Sequence, residues 1–325
     1  MTVRVGVDAS IDDSVLRAFT KEVELVRIPE APVDEIAIDF WVAAMPPRIL
    51  RQQWPHLKGV KVIQIPWAGV DTILSLGFPT TVMLCDARGV HDIPTAEWAV
   101  TAILAVRKCV PFFMKMQQLG KWASGQQANQ SDAAAAKVNA TKIKNPPAPI
   151  KDLAGSTVLI VGYGAIGQTL EARLAPFEVK FLRVARTARE GVRAFDQLDS
   201  LLPAADIVVL TVPLTSETRK LMNAERIGKM RPGAMLVNAA RGPIVDTEAL
   251  LAALQEKRIC AALDVTDPEP LPEGHPLWQA PNLYLTPHVA GDSDHFFQRA
   301  FQLASEQASR FARGEVLLNV VKGEY

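Results

Sequence analysis

The segment Ser156-Thr-Val-Leu-Ile-Val-Gly-Tyr-Gly-Ala-Ile-Gly167 constrains this chain more than any other. Strand-forming residues at 158–161 run straight into Gly162-x-Gly164-x-x-Gly167, and a helical pattern over 166–174 follows. Glycines at that spacing recur by chance, but a strand before and a helix after remove most of that freedom. Gly162 serves a tight turn, Gly164 lets backbone approach a pyrophosphate, and Gly167 lets the new helix pack closely on the strand. The helix N-terminus offers unpaired N–H groups and the positive end of a dipole to phosphates. Gly162, Tyr163, Gly164, Ala165, Ile166 and Gly167 are therefore assigned to a dinucleotide-binding loop. The loop lies near the middle of the chain, so something else must fold before it.

Upstream, residues 3–7, 23–28, 36–42, 60–65 and 82–85 read as strands, and 12–20 and 46–54 as helices. That alternation predicts a small parallel α/β unit. An apolar-rich helix is expected from Thr95 towards Leu119, kinked or interrupted at Pro111. Between Gly120 and Leu153 Gln, Asn, Ser, Ala and Lys dominate, ending in Asn145-Pro-Pro-Ala-Pro149. A long surface connection is expected there, with a short Ala-rich helical turn over 132–136. Strands at 158–161, 179–184, 207–212, 235–238, 261–264 and 283–285 then alternate with helices such as 166–174, 224–229 and 246–257. A succession of this kind opening on the glycine loop is a doubly wound sheet. An amphipathic helix over 292–313 and an apolar tail over 316–321 are too short for a domain, so the tail is expected to return to the first unit. The expected fold is α/β with two domains. A Rossmann-type doubly wound parallel sheet at 95–291 is inserted in a smaller, flavodoxin-like α/β substrate domain made of 1–94 and 292–325.

Composition excludes several partners. Lys+Arg and Asp+Glu are equal at 35 each, which gives no electrostatic reason to expect nucleic acid or an anionic membrane. Cys85, Cys109 and Cys260 show neither CxxC nor metal-ligand spacing and read as buried thiols in a reducing compartment; no metal is expected. The first residues read as a strand, not a signal peptide, and the apolar run over 98–106 is closed by Arg107 and Lys108 too soon to span a membrane. A soluble, cytoplasmic protein is the expectation.

Chemistry-bearing residues cluster at successive strand ends, where open α/β sheets place their ligands. Asn238-Ala-Ala-Arg241-Gly242 supplies an arginine able to hold a carboxylate bidentately. Ala261-Ala-Leu-Asp264-Val-Thr-Asp-Pro-Glu269-Pro270 supplies acids, and Leu285-Thr-Pro-His288-Val-Ala-Gly291 a histidine. Hydride transfer to a 2-oxo acid needs this set: a cation for the carboxylate and carbonyl, a group that exchanges a proton near neutral pH, and a carboxylate to orient it.

On these residues the chain resembles the D-specific 2-hydroxyacid dehydrogenases over nearly its full length, with an NADP-preferring glyoxylate/hydroxypyruvate reductase-like branch in view. The match is strongest over 153–291, where Leu210-Thr-Val-Pro-Leu-Thr-Ser-Glu-Thr218 joins the motifs above. The resemblance implies that Arg241 binds substrate and polarises its carbonyl, that Glu269 pairs with the imidazole, and that His288 is acid in reduction and base in oxidation. It places Asp264 near the nicotinamide and Thr95 facing the cofactor, with Val212, Pro213 and Ala240 as further cofactor contacts. Ile65-Pro-Trp-Ala-Gly-Val-Asp71 matches the family's substrate loop, whose N–H groups around Ala68 and Gly69 receive the carboxylate. A homodimer joined through the dinucleotide-binding domain is implied as well.

One departure is informative. The acid that binds the ribose 2′-hydroxyl is expected roughly twenty residues beyond the glycines. Here the segment reads Val179-Lys-Phe-Leu-Arg183-Val-Ala-Arg186-Thr187-Ala-Arg189, with no acid. Arginine suits a 2′-phosphate in charge and geometry, so NADP(H) is expected over NAD(H), through Arg186 and Thr187, with Arg183 as the alternative contact. Two other functions share these motifs: a formate- or phosphite-type dehydrogenase, and a non-catalytic dinucleotide-sensing scaffold.

Overall fold

The computed structural model describes residues 2–122 and 150–322; the turn expected over 132–136 and the Pro cluster before Ile150 lie outside them. The chain divides into two compact units, Met1–His91 with Asp292–Tyr325, and Asp92–Gly291.

In the first unit, β1 (Val3–Asp8), β2 (Val23–Ile28), β4 (Phe40–Val42), β6 (Val62–Gln64) and β7 (Met83–Cys85) form a parallel sheet in the order β2-β1-β4-β6-β7. This is the flavodoxin-like order. Alternate residues feed opposite faces: Phe40 and Val42 pack with Phe301 and Ala304, while Trp41 packs with Leu50 and Ile63. A parallel sheet covered on both faces reads as a continuous apolar run, which is why these strands are visible in the sequence. The strand expected over 36–42 is divided, because β3 (Ile36–Ala37) leaves the main sheet to pair with β5 (Leu57–Lys58). The helix expected over 12–20 is only Asp13–Leu16, capped by the Asp12 carboxylate. The last helix, Phe296–Ala312, buries Ala300, Ala304 and Ala308, a one-turn repeat that lets it lie close to the sheet. Beyond it the tail returns to β7, with the Val321 N–H donating to Leu84 O at 2.9 Å and the Asp86 N–H to Asn319 O at 3.1 Å.

The second unit holds β8 (Thr157–Val161), β9 (Lys180–Ala185), β10 (Arg193–Ala194), β11 (Ile207–Leu210), β12 (Met235–Asn238), β13 (Cys260–Leu263) and β14 (Leu283–Leu285). They form a parallel sheet in the order β10-β9-β8-β11-β12-β13-β14, whose reversal beside β8 is the doubly wound switch point. Val158 and Ile160 face one apolar cluster with Ala99, Ile103 and Leu170; Leu159 and Val161 face another with Leu250 and Leu254. The long helix expected from Thr95 begins instead at Asp92 and ends at Arg107, and a second helix spans Val110–Gln118. The break is at Cys109, in the left-handed region at φ 56°, and not at Pro111. Proline is tolerated in a first helical turn, whose N–H has no intrahelical partner, so Pro111 starts the second helix and does not kink a continuous one. No helix of the described residues is long and apolar enough to cross a membrane.

Candidate active site

The glycine loop leaves β8 under tight steric constraint. Gly162 has φ +104°, and a Cβ there would lie 2.6 Å from the Thr211 carbonyl carbon. A Cβ on Gly167 would lie 2.8 Å from Gly162 O and 3.0 Å from Ile160 Cγ2. Both glycines are thus required by the protein's own packing. Gly164 differs: a Cβ there would meet no protein atom within 4 Å, although it precedes the helix Ala165–Leu174 with no side chain capping that helix. Open space before an uncapped helix N-terminus fits a pyrophosphate held by backbone N–H groups. Thr211 Oγ1 donates to Gly162 O at 2.8 Å and fastens the turn to the β11 end, where Val212 is buried and Pro213 exposed. Thr95 is buried in the first turn of Asp92–Arg107.

At the end of β9, Arg186 and Thr187 are exposed. Arg183 is turned inwards, and its Nε and Nη2 each donate to a Glu171 carboxylate oxygen at 2.5 Å. Those hydrogen bonds hold the Glu171 carboxyl below its usual range, against the opposing effect of its partial burial.

At the end of β12, the Asn238 side chain shapes the next turn. Its Nδ2 donates to Arg241 O at 2.9 Å, and its Oδ1 accepts the Ala240 N–H at 3.1 Å. Ala240 is thereby buried in the core, and Arg241 Nη1 donates to Ala240 O at 2.7 Å. Gly242 then passes so near the β13 exit that a Cβ would lie 1.8 Å from Thr266 O. The arginine turn and the segment leading to Glu269 are in backbone contact.

His288 follows β14 with φ 56°. Its Nδ1 is 2.5 Å from Glu269 Oε1, both side chains being partly exposed. With Nδ1 engaged by the carboxylate, Nε2 is the atom left to give or take a proton. The Asp264 carboxylate is 2% exposed and turned into the protein. Oδ1 accepts from Thr286 Oγ1 at 2.6 Å and the Val289 N–H at 2.9 Å, and Oδ2 accepts from the Ala290 N–H at 2.8 Å. The Asp264 carbonyl accepts the His288 N–H at 2.7 Å, and Trp98 Nε1 donates to Thr286 Oγ1 at 2.9 Å. The supporting roles of Asn238, Thr286 and Trp98 do not follow from the sequence motifs. Thr286 had a signal, lying two residues before the histidine; Trp98 had none. Among the described residues no group of His, Cys, Asp and Glu could hold a metal ion. Ala68 and Gly69 belong to the first unit, on the partly exposed segment between β6 and the helix Asp71–Leu74.

Comparison with known proteins places the chain in a family. Residues 125–290 match the family model described as D-isomer specific 2-hydroxyacid dehydrogenase, NAD binding domain. The chain is 35% identical over 269 residues to a glyoxylate reductase of Thermofilum pendens, covering 81% of this chain and 74% of that one. It is 31% identical over 310 residues to a glycerate dehydrogenase of Methylorubrum extorquens, covering 94% and 91%. Among solved structures it is similar to the NADPH-dependent glyoxylate/hydroxypyruvate reductase of Sinorhizobium meliloti in complex with NADP and sulfate. That match has a TM-score of 0.77 at 26% identity, over 98% of each chain.

Proposed function

Because the chain belongs to the D-isomer specific 2-hydroxyacid dehydrogenases, enzymes acting on a CH–OH group, we propose that it interconverts a small 2-oxo acid and its D-2-hydroxy acid with NADP(H). The bound nicotinamide supplies the hydride, which is the cofactor's own chemistry. Arg241 grips the substrate carboxylate and polarises the carbonyl at C2. In reduction the protonated imidazole of His288 gives its Nε2 proton to the carbonyl oxygen; in oxidation Nε2 takes it back. Glu269 holds Nδ1, so the ring keeps one orientation through both directions. The part of the Ala68 and Gly69 N–H groups in binding the carboxylate rests on the family resemblance. A homodimer joined through the dinucleotide-binding unit belongs to the same reading.

The observation that carries this reading is the Glu269–His288 contact, on a sheet that also presents Arg241 from a neighbouring strand end. The preference for NADP(H) is supported by the absence of an acid between Val179 and Arg189, and by the exposed Arg186 and Thr187. The test is NADPH oxidation against glyoxylate, hydroxypyruvate, pyruvate and phenylpyruvate, with NADH alongside and NADP reduction by formate and phosphite in parallel. Turnover of at least one acid with higher kcat/KM for NADPH is expected. Turnover of formate or phosphite alone, or of none of these, would overturn the substrate class, and equal or better kcat/KM with NADH the cofactor.

A further inference from the structure

The second strand of the dinucleotide fold carries a charge cluster that the reaction does not use. Arg183 presents Nε and Nη2 to the two oxygens of Glu171 at 2.5 Å each, filling the face of the guanidinium that would otherwise clasp an oxyanion. The two side chains are only 26% and 20% exposed. The guanidinium carbon also lies 5.5 Å from the centre of the Tyr163 ring and 5.7 Å from that of Phe181. Two rings and a bidentate carboxylate hold Arg183 in place, and its charge is cancelled locally.

Arg189 stands differently. Its backbone is fixed by reciprocal hydrogen bonds with Val192, at 3.0 and 2.9 Å. Its exposed side chain reaches back to the glycine loop, where Nη2 donates to Tyr163 O and the guanidinium carbon lies 5.7 Å from the Tyr163 ring. Tyr163 is the residue between Gly162 and Gly164, so it touches both arginines: one neutralised by Glu171, the other set on the loop itself. A guanidinium has five donors in a planar fork, and anchoring one of them leaves others to meet a phosphate.

We propose that Glu171 is a specificity-determining residue: by holding Arg183 as a neutral pair against Tyr163, it makes Arg189, beside Arg186 and Thr187, a cation that meets the 2′-phosphate of the dinucleotide. The proposal rests on the NADP(H) reading above and deepens it. Arg183 becomes a wall of the site, and Arg189 is pre-oriented by its ring contact and carbonyl anchor, which lowers the ordering cost of binding. Because Glu171 is an acid, its effect depends on Arg183. Paired it is silent, and unpaired it repels the phosphate.

The test is the dissociation constant of NADPH and of NADH, read by nicotinamide fluorescence, for the wild type, R189A, R183A, E171Q and the double variant E171Q/R183A, with thermal unfolding checking each fold. Loss of a charge-assisted contact predicts that R189A weakens NADPH by about tenfold or more, with NADH changed by less than about twofold. R183A should weaken NADPH severalfold more than NADH, and adding E171Q should restore most of that loss. E171Q alone should raise the preference for NADPH, because Arg183 is then a further available cation. A merely structural role would move both cofactors together and leave their ratio unchanged. The proposal is overturned if R189A keeps the wild-type ratio, or if E171Q fails to rescue R183A. A wild type that binds NADH as tightly as NADPH would instead overturn the cofactor reading on which the proposal stands. Should R183A not fold, E171Q and R189A decide the matter, since E171Q keeps a neutral isostere that can still accept from Arg183 and R189A truncates an exposed side chain.

Discussion

Replacing Gly242 by alanine should disable the site while leaving the cofactor loop intact. An ideal Cβ at this position would lie 1.8 Å from Thr266 O, 2.1 Å from Thr266 C and 2.7 Å from the Asp267 nitrogen. All three are backbone atoms, so no side chain can swing away. Ordinary contact begins near 3.4 Å, so the two segments must part by more than 1 Å. Neither can move alone. The arginine turn is tied to β12 by Asn238, and the opposing segment by Thr247 Oγ1 to Asp267 O at 2.9 Å and Thr266 Oγ1 to Pro268 O at 2.8 Å. The displacement is therefore shared between Arg241 on one side and the approach to Glu269 on the other.

Overpacking of this kind costs about 1–3 kcal/mol. In a domain of this size each kcal/mol lowers Tm by about 2–4 °C, so G242A should melt roughly 2–12 °C below the wild type. The kinetic effect is larger, because a misplacement of about 1 Å at the reacting groups costs on the order of a hundredfold. Steady-state kcat/KM on the best 2-oxo acid, with NADPH affinity measured in parallel, separates the two. The affinity should hold, since the glycine loop hangs on β8 and β11. The matched control is G228A, in the helix Ala224–Lys229, where a Cβ would meet nothing within 4 Å. It should stabilise by up to about 1 kcal/mol and leave kcat alone. A folded G242A with kcat/KM within about threefold of the wild type would refute the coupling of the two segments.

The other predictions follow from single groups. H288N should lower kcat by about 10²–10⁴-fold with NADPH affinity unchanged, as expected for loss of a proton donor; a kcat within tenfold would remove His288 from that role. Hydrogen bonds from Lys229 and Arg226 hold the Asp199 carboxyl below the usual aspartate range, and those from Lys220 and the Ala249 N–H do the same for Asp246. A depressed folded pKa means stability that is present above the unfolded value and is lost as pH falls through the folded one. Tm should therefore drop on acidification below about pH 4, and D199N should flatten that drop; an identical slope would show that the ion pair contributes nothing. Burial pushes the Cys85 thiol up to about 12 and the Cys260 thiol up to about 11, and Cys109 is raised and buried too. The folded protein should thus resist a disulfide-type thiol reagent at mildly alkaline pH and expose its thiols only on denaturation; rapid labelling of the native chain would contradict this.

Much of the fold is legible because parallel strands buried on both faces leave unbroken apolar runs, as Ile207–Leu210 does and as Met235, Leu236 and Val237 do. Elements held by pairing alone leave no such trace. β10 has only Arg193 and Ala194, and its existence depends on the neighbouring β9 edge. The helix break misleads for a related reason: Pro111 is a true signal, but it marks the start of a helix as readily as an interruption. At the site, the strand ends bearing Arg241, Glu269 and His288 can be read from local pattern. Their supports cannot. Trp98 and Thr286 are 188 positions apart, and Arg183 and Glu171 meet only because a strand returns beside the helix that precedes it.

Asp264 shows why such supports matter to the chemistry. The family resemblance places this acid near the nicotinamide, and its carboxylate accepts from Thr286, Val289 and Ala290. Both amides belong to the turn immediately after His288, and the histidine's own N–H is taken by the Asp264 carbonyl. His288 sits in the left-handed region, at a cost of about 1–3 kcal/mol that must be met by surrounding contacts. Asp264 supplies them from both sides of the residue, and Trp98 braces Asp264 through Thr286. The same backbone conformation turns the imidazole towards Glu269, which arrives on the segment leaving β13 just beyond Asp264. One strand end thus provides both the partner of the ring and the clamp on its backbone. Orientation of His288 follows from the exit of β13, whatever substrate is bound.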